Sequence, residues 1–197
     1  MKAARLLWIG SALVAGAVCV PPAHAAGNID LFAGQKNLDR DFGDGRSIEE
    51  QDALALFFDF GKEHWPVHFA IDLLEGRADV NDNDLDTRID GSTGEIDVGM
   101  RWYPTKGHKV LPHLGGGLGF ISGEVDVDND AAANDISFDD SKLGYWADAG
   151  VAFVIGDHFK LGGRVRYSKA KLDNPGGNVT EVDAGGTTWG INAGWTW

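Results

Sequence analysis

Cysteine is all but missing from this chain. The single one, Cys19, lies in an apolar leader, so the body of the protein has no disulfide, no thiolate metal site and no thiol nucleophile. Basic residues are also scarce. Seventeen lysines and arginines stand against 30 aspartates and glutamates, a net charge of −13, which argues against nucleic acid or an anionic surface as a partner. After residue 25 there is no apolar run near the roughly 20 residues that a membrane-spanning helix needs. A chain like this can cross a membrane only with strands, whose alternation averages out to ordinary hydropathy; the mean hydropathy here is slightly negative.

What is present begins with a leader. Lys2 and Arg5 form a positive start, Leu6 to Val20 an apolar stretch, and Ala23-His24-Ala25 a small-x-small cleavage site. The pattern reads as a signal peptide over residues 1–25 and one exported domain over residues 26–197. Val18 and Gly16 do not fit a lipoprotein site around Cys19. Without Lys2 and Arg5 the charge falls by two, from −13 to −15.

The domain reads as eight strands of period two. Ile29, Leu31 and Ala33 alternate with Asp30 and Phe32; Leu54, Leu56, Phe58 and Phe60 with Ala53, Ala55, Phe57 and Asp59; Val67, Phe69, Ile71 and Leu73 with His68, Ala70 and Asp72. The fourth strand sets Ile96, Val98, Met100 and Trp102 against Glu95, Asp97, Gly99 and Arg101, and the fifth sets Leu114, Leu118 and Phe120 against His113 and glycines. Tyr145 to Ile155, Phe159 to Tyr167 and Thr187 to Trp197 complete the set. The last carries Trp189, Ile191, Ala193, Trp195 and Trp197 on one face up to the final residue. An open sheet ending this way would expose an adhesive edge, and closure into a barrel removes it.

Short connections (Gly61 to His64, Pro104 to Lys109, Gly156 to His158) alternate with expected loops of roughly 14 to 20 residues, and aromatic residues gather in two bands. Both features belong to transmembrane barrels, with short turns on the inner side of the membrane. The expected fold is therefore an all-β, eight-stranded antiparallel up-and-down transmembrane β-barrel. A soluble barrel with an apolar lumen shares the alternation, because period two does not say which face is inside; loop asymmetry and the aromatic bands argue against it.

Eight strands enclose a space that side chains fill. The inward residues include Asp59, Asp72, Glu95, Asp97 and Asp148 together with Arg101, Lys160, Arg164 and Arg166. Charges in so narrow a lumen must pair, so these nine form the candidate interior ion network, a plug or else the lining of a narrow solute path. In the acidic third loop, Asp126, Asp128 and Asp130 have the spacing that opens a calcium loop, yet Ala131 and Ser137 stand where glycine and glutamate belong. They remain weak divalent-cation candidates. No cofactor is expected.

The leader, the eight alternating strands and the Gly190-x-x-x-Gly194-Trp195-x-Trp197 ending resemble the small outer-membrane barrels of the OmpA/OmpX type. That resemblance implies the outer membrane of a Gram-negative cell, both termini periplasmic, a monomer among outer-membrane lipid and lipopolysaccharide, and Trp195 and Trp197 as the signal read by the barrel-assembly machinery. It implies no chemistry. One segment, Arg166-Tyr167-Ser168-Lys169 with Glu181, resembles the lipid A deacylases, but Arg166 occupies the position of their histidine, and a guanidinium is no general base at neutral pH. The expected role is structural or surface-interactive, in envelope integrity, adhesion or lipopolysaccharide contact. A narrow gated channel is the alternative, and catalysis is not expected.

Overall fold

The computed structural model describes residues 25–38, 50–82, 87–105, 108–129, 136–173, 181–183 and 185–197; at 25, 79–82, 87–90, 124–129, 136–140, 171–173 and 181–183 the description is of backbone pairing. The strands are β1 (Ala25–Leu38), β2 (Glu50–Lys62), β3 (Val67–Asp82), β4 (Thr87–Trp102), β5 (Val110–Asn129), β6 (Ile136–Ile155), β7 (Phe159–Lys169), β8 (Lys171–Asp173), β9 (Glu181–Asp183) and β10 (Gly186–Thr196). Eight of them close a barrel in the order β1-β10-β7-β6-β5-β4-β3-β2. β8 and β9 pair separately as a small ribbon between β7 and β10.

The register fixes the barrel's shape. From Phe120 on β5 the cross-strand partners run Ile96, Leu73, Leu56, Leu31, Ala193, Leu161 and Phe153, and the circuit returns to β5 at Val110, ten residues from its start. A shift of ten residues around eight strands tilts each strand by about 40° from the barrel axis. Every residue on that circuit lies on the outer face. Leu31, Leu54, Ile96 and Ile191 are 57–69% exposed, whereas Phe57, Asp72, Asp97 and Ile121 on the inner face are at most 1% exposed. The alternation expected from the sequence holds on all eight barrel strands, with the apolar face outward.

The long connections differ from expectation. β3 and β4 stay paired up to Asp82 and Thr87, and β5 and β6 up to Val127 and Ile136. Most of the second and third acidic stretches is therefore paired ribbon instead of loop of roughly 14 to 20 residues. Alternation continues there with its contrast reversed, Glu124, Asp126 and Asp128 taking the parity of the outward residues and Val125 and Val127 that of the inward ones, so the outward apolar period no longer marks the strand. β1 likewise runs past Gly34 to Leu38. The short connections stand, and in the one at 156–158 Gly156 takes a φ of 67°, a left-handed conformation that glycine adopts at no steric cost.

The chain end is held by backbone. Trp197 and Gly27 exchange N–H to carbonyl bonds of 3.1 Å in both directions. The Trp197 ring lies over Gly27, where a side chain would meet it, and 6.1 Å from the Phe58 ring.

Glycines in β4 and β5 have a packing reason. The indole of Trp146, 2% exposed, points inward and fills a bay opened by Gly99 and Gly115. A β-carbon at Gly99 would stand 2.7 Å from the indole. Gly99→Val is accordingly expected to destabilise the folded barrel by about 1–3 kcal/mol for overpacking, read as a lower urea midpoint. Gly163→Ala, whose β-carbon meets nothing nearer than 3.7 Å, is expected to leave the midpoint unchanged.

Candidate functional site

The inner faces of the strands bring charged residues from distant parts of the sequence into one column. Because Cβ atoms alternate across a strand, each charge expected inward arrives at the lumen wall: Asp59 from β2, Asp72 from β3, Glu95, Asp97 and Arg101 from β4, Asp148 from β6, and Lys160, Arg164 and Arg166 from β7. All nine are at most 5% exposed. Burial of an ion costs several kcal/mol unless a counter-charge and hydrogen bonds replace water, and here they do so in two layers.

Arg101 is the centre of the layer nearer the short turns. Its guanidinium donates to Asp59 (3.3 Å), Asp72 (2.8 Å) and Asp148 (3.0 Å). Asp148 also accepts from Arg164 at 2.9 Å, and Arg164 and Lys160 lie 3.5 and 2.9 Å from Asp30. Asp59 is the most heavily solvated by protein: Asn28 Nδ2 donates to it at 2.7 Å, Tyr103 Oη at 2.6 Å, and His68 Nδ1 stands 2.7 Å away.

Arg166 organises the second layer. It donates to Asp72 at 3.0 Å and to Asp97 at short range, and its Nε is 3.6 Å from Glu95. Glu95 accepts from Lys36 Nζ and from Ser168 Oγ, both at 2.7 Å; Lys36 reaches on to Thr93 (3.2 Å), whose hydroxyl donates to Gln51 (2.8 Å). The same Asp72 Oδ2 accepts from both Arg101 and Arg166 and so joins the layers.

Aromatic faces complete the column. Phe57 covers Arg164 at 3.9 Å and Trp146 covers Arg166 at 4.4 Å, with Arg101 5.7 Å from each ring. A guanidinium loses less hydration than an ammonium and stacks well on such faces. Three carboxylates lean over cross-strand glycines: Asp30 over Gly194, Asp97 over Gly119 and Asp148 over Gly115. A β-carbon at any of the three would collide with the carboxylate oxygen.

Lys36, Gln51, Thr93 and Tyr103 join the nine sequence-derived residues. Lys36 escapes sequence reading because strand one is expected to stop at Gly34; continuing the parity from Phe32 through Gly34 places it inward. Ser168, one residue past the expected seventh strand, is 1% exposed and turned into the lumen toward Glu95. The other elements of the deacylase-like reading do not meet it: Arg166 is engaged by Asp72 and Asp97, and Glu181 falls on β9, where the description is of backbone alone.

The cation candidates change character. Asp126 and Asp128 belong to the backbone of β5, paired with Ser137 of β6 and with Arg88 of β4 respectively, while Asp130 lies outside the described residues. An extended strand is not the turn that wraps a calcium ion; of Asp126 and Asp128 the backbone alone is described, so the triplet stays a weak divalent-cation candidate from the sequence. Among the described residues no group of three acidic, histidine or cysteine side chains is placed to hold a metal. Trp195 is 49% exposed on the outer face, stacked on His158 at 5.0 Å.

The family model for the outer membrane protein beta-barrel domain matches residues 10–196. Curated proteins give no match. Among solved structures the chain is similar to the attachment invasion locus protein Ail of Yersinia pestis, solved in complex with the heparin analogue sucrose octasulfate. Identity is 16% and the TM-score 0.59, over 88% of this chain and 99% of that one. It is also similar to the outer membrane protein OprG of Pseudomonas aeruginosa (19% identity, TM-score 0.56, 88% and 97% covered). A major outer membrane protein of Thermus thermophilus is similar at 10% identity and a TM-score of 0.58, with 88% and 98% covered. At such identities the likeness is one of fold.

The two layers make a prediction about Asp72. Asp72→Ala removes an acceptor from two buried guanidiniums at once, and is expected to destabilise the barrel by about 3–5 kcal/mol, as loss of one partner from a buried ion pair does. Urea unfolding in detergent micelles measures it. Glu75→Ala, which breaks only the exposed pair with Arg77, is expected to change stability by less than about 1 kcal/mol.

Proposed function

Because the chain belongs to the outer membrane protein β-barrel family, we propose that it serves the outer membrane as a closed barrel with a structural or surface-interaction role. The observation that carries this reading is the continuous column of ion pairs from Lys160 and Asp30 to Glu95 and Lys36, which hydrogen bonds extend through Thr93 to Gln51. A lumen filled in this way leaves solute transport little room and makes the barrel a rigid support for its outer ribbons. Envelope integrity, adhesion or contact with lipopolysaccharide is the work we assign to those ribbons. The acidic composition of the chain disfavours a polyanion as the ligand and suits cationic groups or cation-bridged phosphates.

In this reading the short turns and both termini face the periplasm, the barrel is a monomer among lipid and lipopolysaccharide, and Trp195 and Trp197 serve recognition by the barrel-assembly machinery. Catalysis has no part in it. Ser168 donates to Glu95 inside the network, where it is a structural hydroxyl.

A narrow conducting path is the second reading. One observation favours it: buried polar atoms without a hydrogen-bond partner among the described residues occur along the lumen, Thr188 Oγ1 and Asn192 Oδ1 on β10 and Asp72 Oδ1, Asp97 Oδ1 and Asp148 Oδ1 of the network among them. Atoms of this kind are where water or ions on such a path would bind.

Planar-bilayer recording decides between the two. The closed reading expects no stable single-channel conductance from the intact protein, and Arg101→Ala to lower stability before any conductance appears. A steady conducting state in the unmodified protein, or one opened by Arg101→Ala at full stability, overturns it. Protease added to intact cells tests orientation: cleavage within 130–135 with protected termini is expected.

A further inference from the structure

The outer apolar belt is of unequal height. On β6 it runs from Leu143 to Ile155 and on β5 from Val110 to Phe120; on β2 it runs from Leu54 to Phe60 and on β1 from Ala33 down to Ile29 and Gly27, which the Trp197 ring covers. With strands tilted by about 40° each residue advances roughly 2.5 Å along the axis, so these spans are about 30, 25, 15 and 15 Å. The usual lipid-facing band is about 25 Å tall. The difference is not scattered around the wall. In the strand order β1-β10-β7-β6-β5-β4-β3-β2, β3 (Val67 to Leu73) and β4 (Ile96 to Trp102) are as short as β2, at about 15 Å, and β7 and β10 reach about 20 Å, so the short sector runs from β1 through β4 and the tall pair β5–β6 lies diametrically opposite its β1–β2 end.

Polar residues end the short face early. Beyond Ala33 and Leu54 come Gln35 and the exposed Asp52, which are cross-strand partners, and on β3 the exposed pair Glu75 and Arg77, 2.5 Å apart, follows Leu73. The register from Gln35 passes through Trp189 and Val165 to Ala149 on β6. The tilt drops that path by about four residues over three strands, so the same height on β6 is reached near Tyr145, which is 52% exposed with Leu143 still above it. One level of the barrel thus meets water chemistry on one side and hydrocarbon chemistry on the other.

Tilting the barrel cannot remove the mismatch, because rotation moves both margins of a face together and leaves its height unchanged. In a bilayer of uniform thickness Gln35 and Asp52 would enter hydrocarbon, where a charge costs up to about 2–4 kcal/mol with depth. Thinning of the surrounding bilayer costs only fractions of a kcal/mol per Å. We propose that this barrel holds an asymmetric lipid annulus, with the bilayer thinned against the β1–β2 face and of full thickness against β5–β6. The partner of the short face is then lipid with locally compressed or splayed chains.

Site-directed nitroxides test this in dioleoylphosphatidylcholine vesicles. Asp52→Cys, Tyr145→Cys and Glu63→Cys would each be made in a Cys19→Ser background and probed with oxygen, which enters hydrocarbon, and with a water-soluble nickel chelate. The expected result is nickel-accessible labels at 52 and 63 and an oxygen-accessible label at 145. Like accessibility at 52 and 145 means a uniform belt and overturns the proposal; a label at 63 that enters hydrocarbon means tilt in place of thinning and overturns it too. A second measurement uses Gln35→Leu combined with Asp52→Leu, which heightens the short face. The acyl-chain length giving fastest insertion into phosphatidylcholine vesicles is expected to shift to longer chains, and no shift counts against an annulus set by this face.

Discussion

Asp72 holds the interior together. Its carboxylate stands between the guanidiniums of Arg101 and Arg166, and through them the two layers of charge become one network. The arrangement answers a problem that the barrel itself creates. Closing eight strands satisfies every backbone group without water, which the membrane demands, but it also encloses the polar half of an alternating sequence in a space too narrow to hydrate it. The charges must then solvate one another. The acids Asp30, Asp59, Asp72, Glu95, Asp97 and Asp148 meet Lys36, Arg101, Lys160, Arg164 and Arg166 across the lumen, with strands β1, β2, β3, β4, β6 and β7 all contributing.

Glycine and aromatic residues make that solvation fit. Where a carboxylate must lean toward the wall, the cross-strand neighbour is glycine, as at Asp97 and Gly119. Where guanidiniums crowd the axis, Phe57 and Trp146 present their faces. The glycine-rich fifth strand is thus explained by what stands opposite it more than by any bend of the wall. On the outside, the same closure produces the belt whose height varies around the barrel, so lumen and lipid surface are two consequences of one alternation.

Most of the fold was legible because period two is a property of neighbours in sequence. Ile96, Val98, Met100 and Trp102 announce an outward face without help from any other strand, and the terminal tryptophans announce that the last strand must find a partner. Legibility failed where the period lost contrast. From Glu75 along β3, and along the start of β4, the outward parity carries Glu75, Arg77, Asp79, Arg88, Asp90 and Ser92 in place of apolar residues, so a paired ribbon and a loop look alike in the sequence. Lys36 is hidden for a related reason: Gly34 interrupts the pattern two residues before it.

The sequence by itself determined which charges share a face: parity groups Asp59, Asp72, Glu95, Asp97, Arg101, Asp148, Lys160, Arg164 and Arg166 strand by strand, with no knowledge of the partner strand, although Lys36 escaped it. It also determined that those charges must pair, since an unpaired ion in so narrow a lumen costs several kcal/mol. Only the tertiary structure decided who pairs with whom. Asp72 meets Arg101 and Arg166, and Glu95 meets Lys36, because the ten-residue shift around the barrel sets the heights at which inward side chains meet across the lumen. Register is a sum over eight interfaces, and no single segment of sequence contains it.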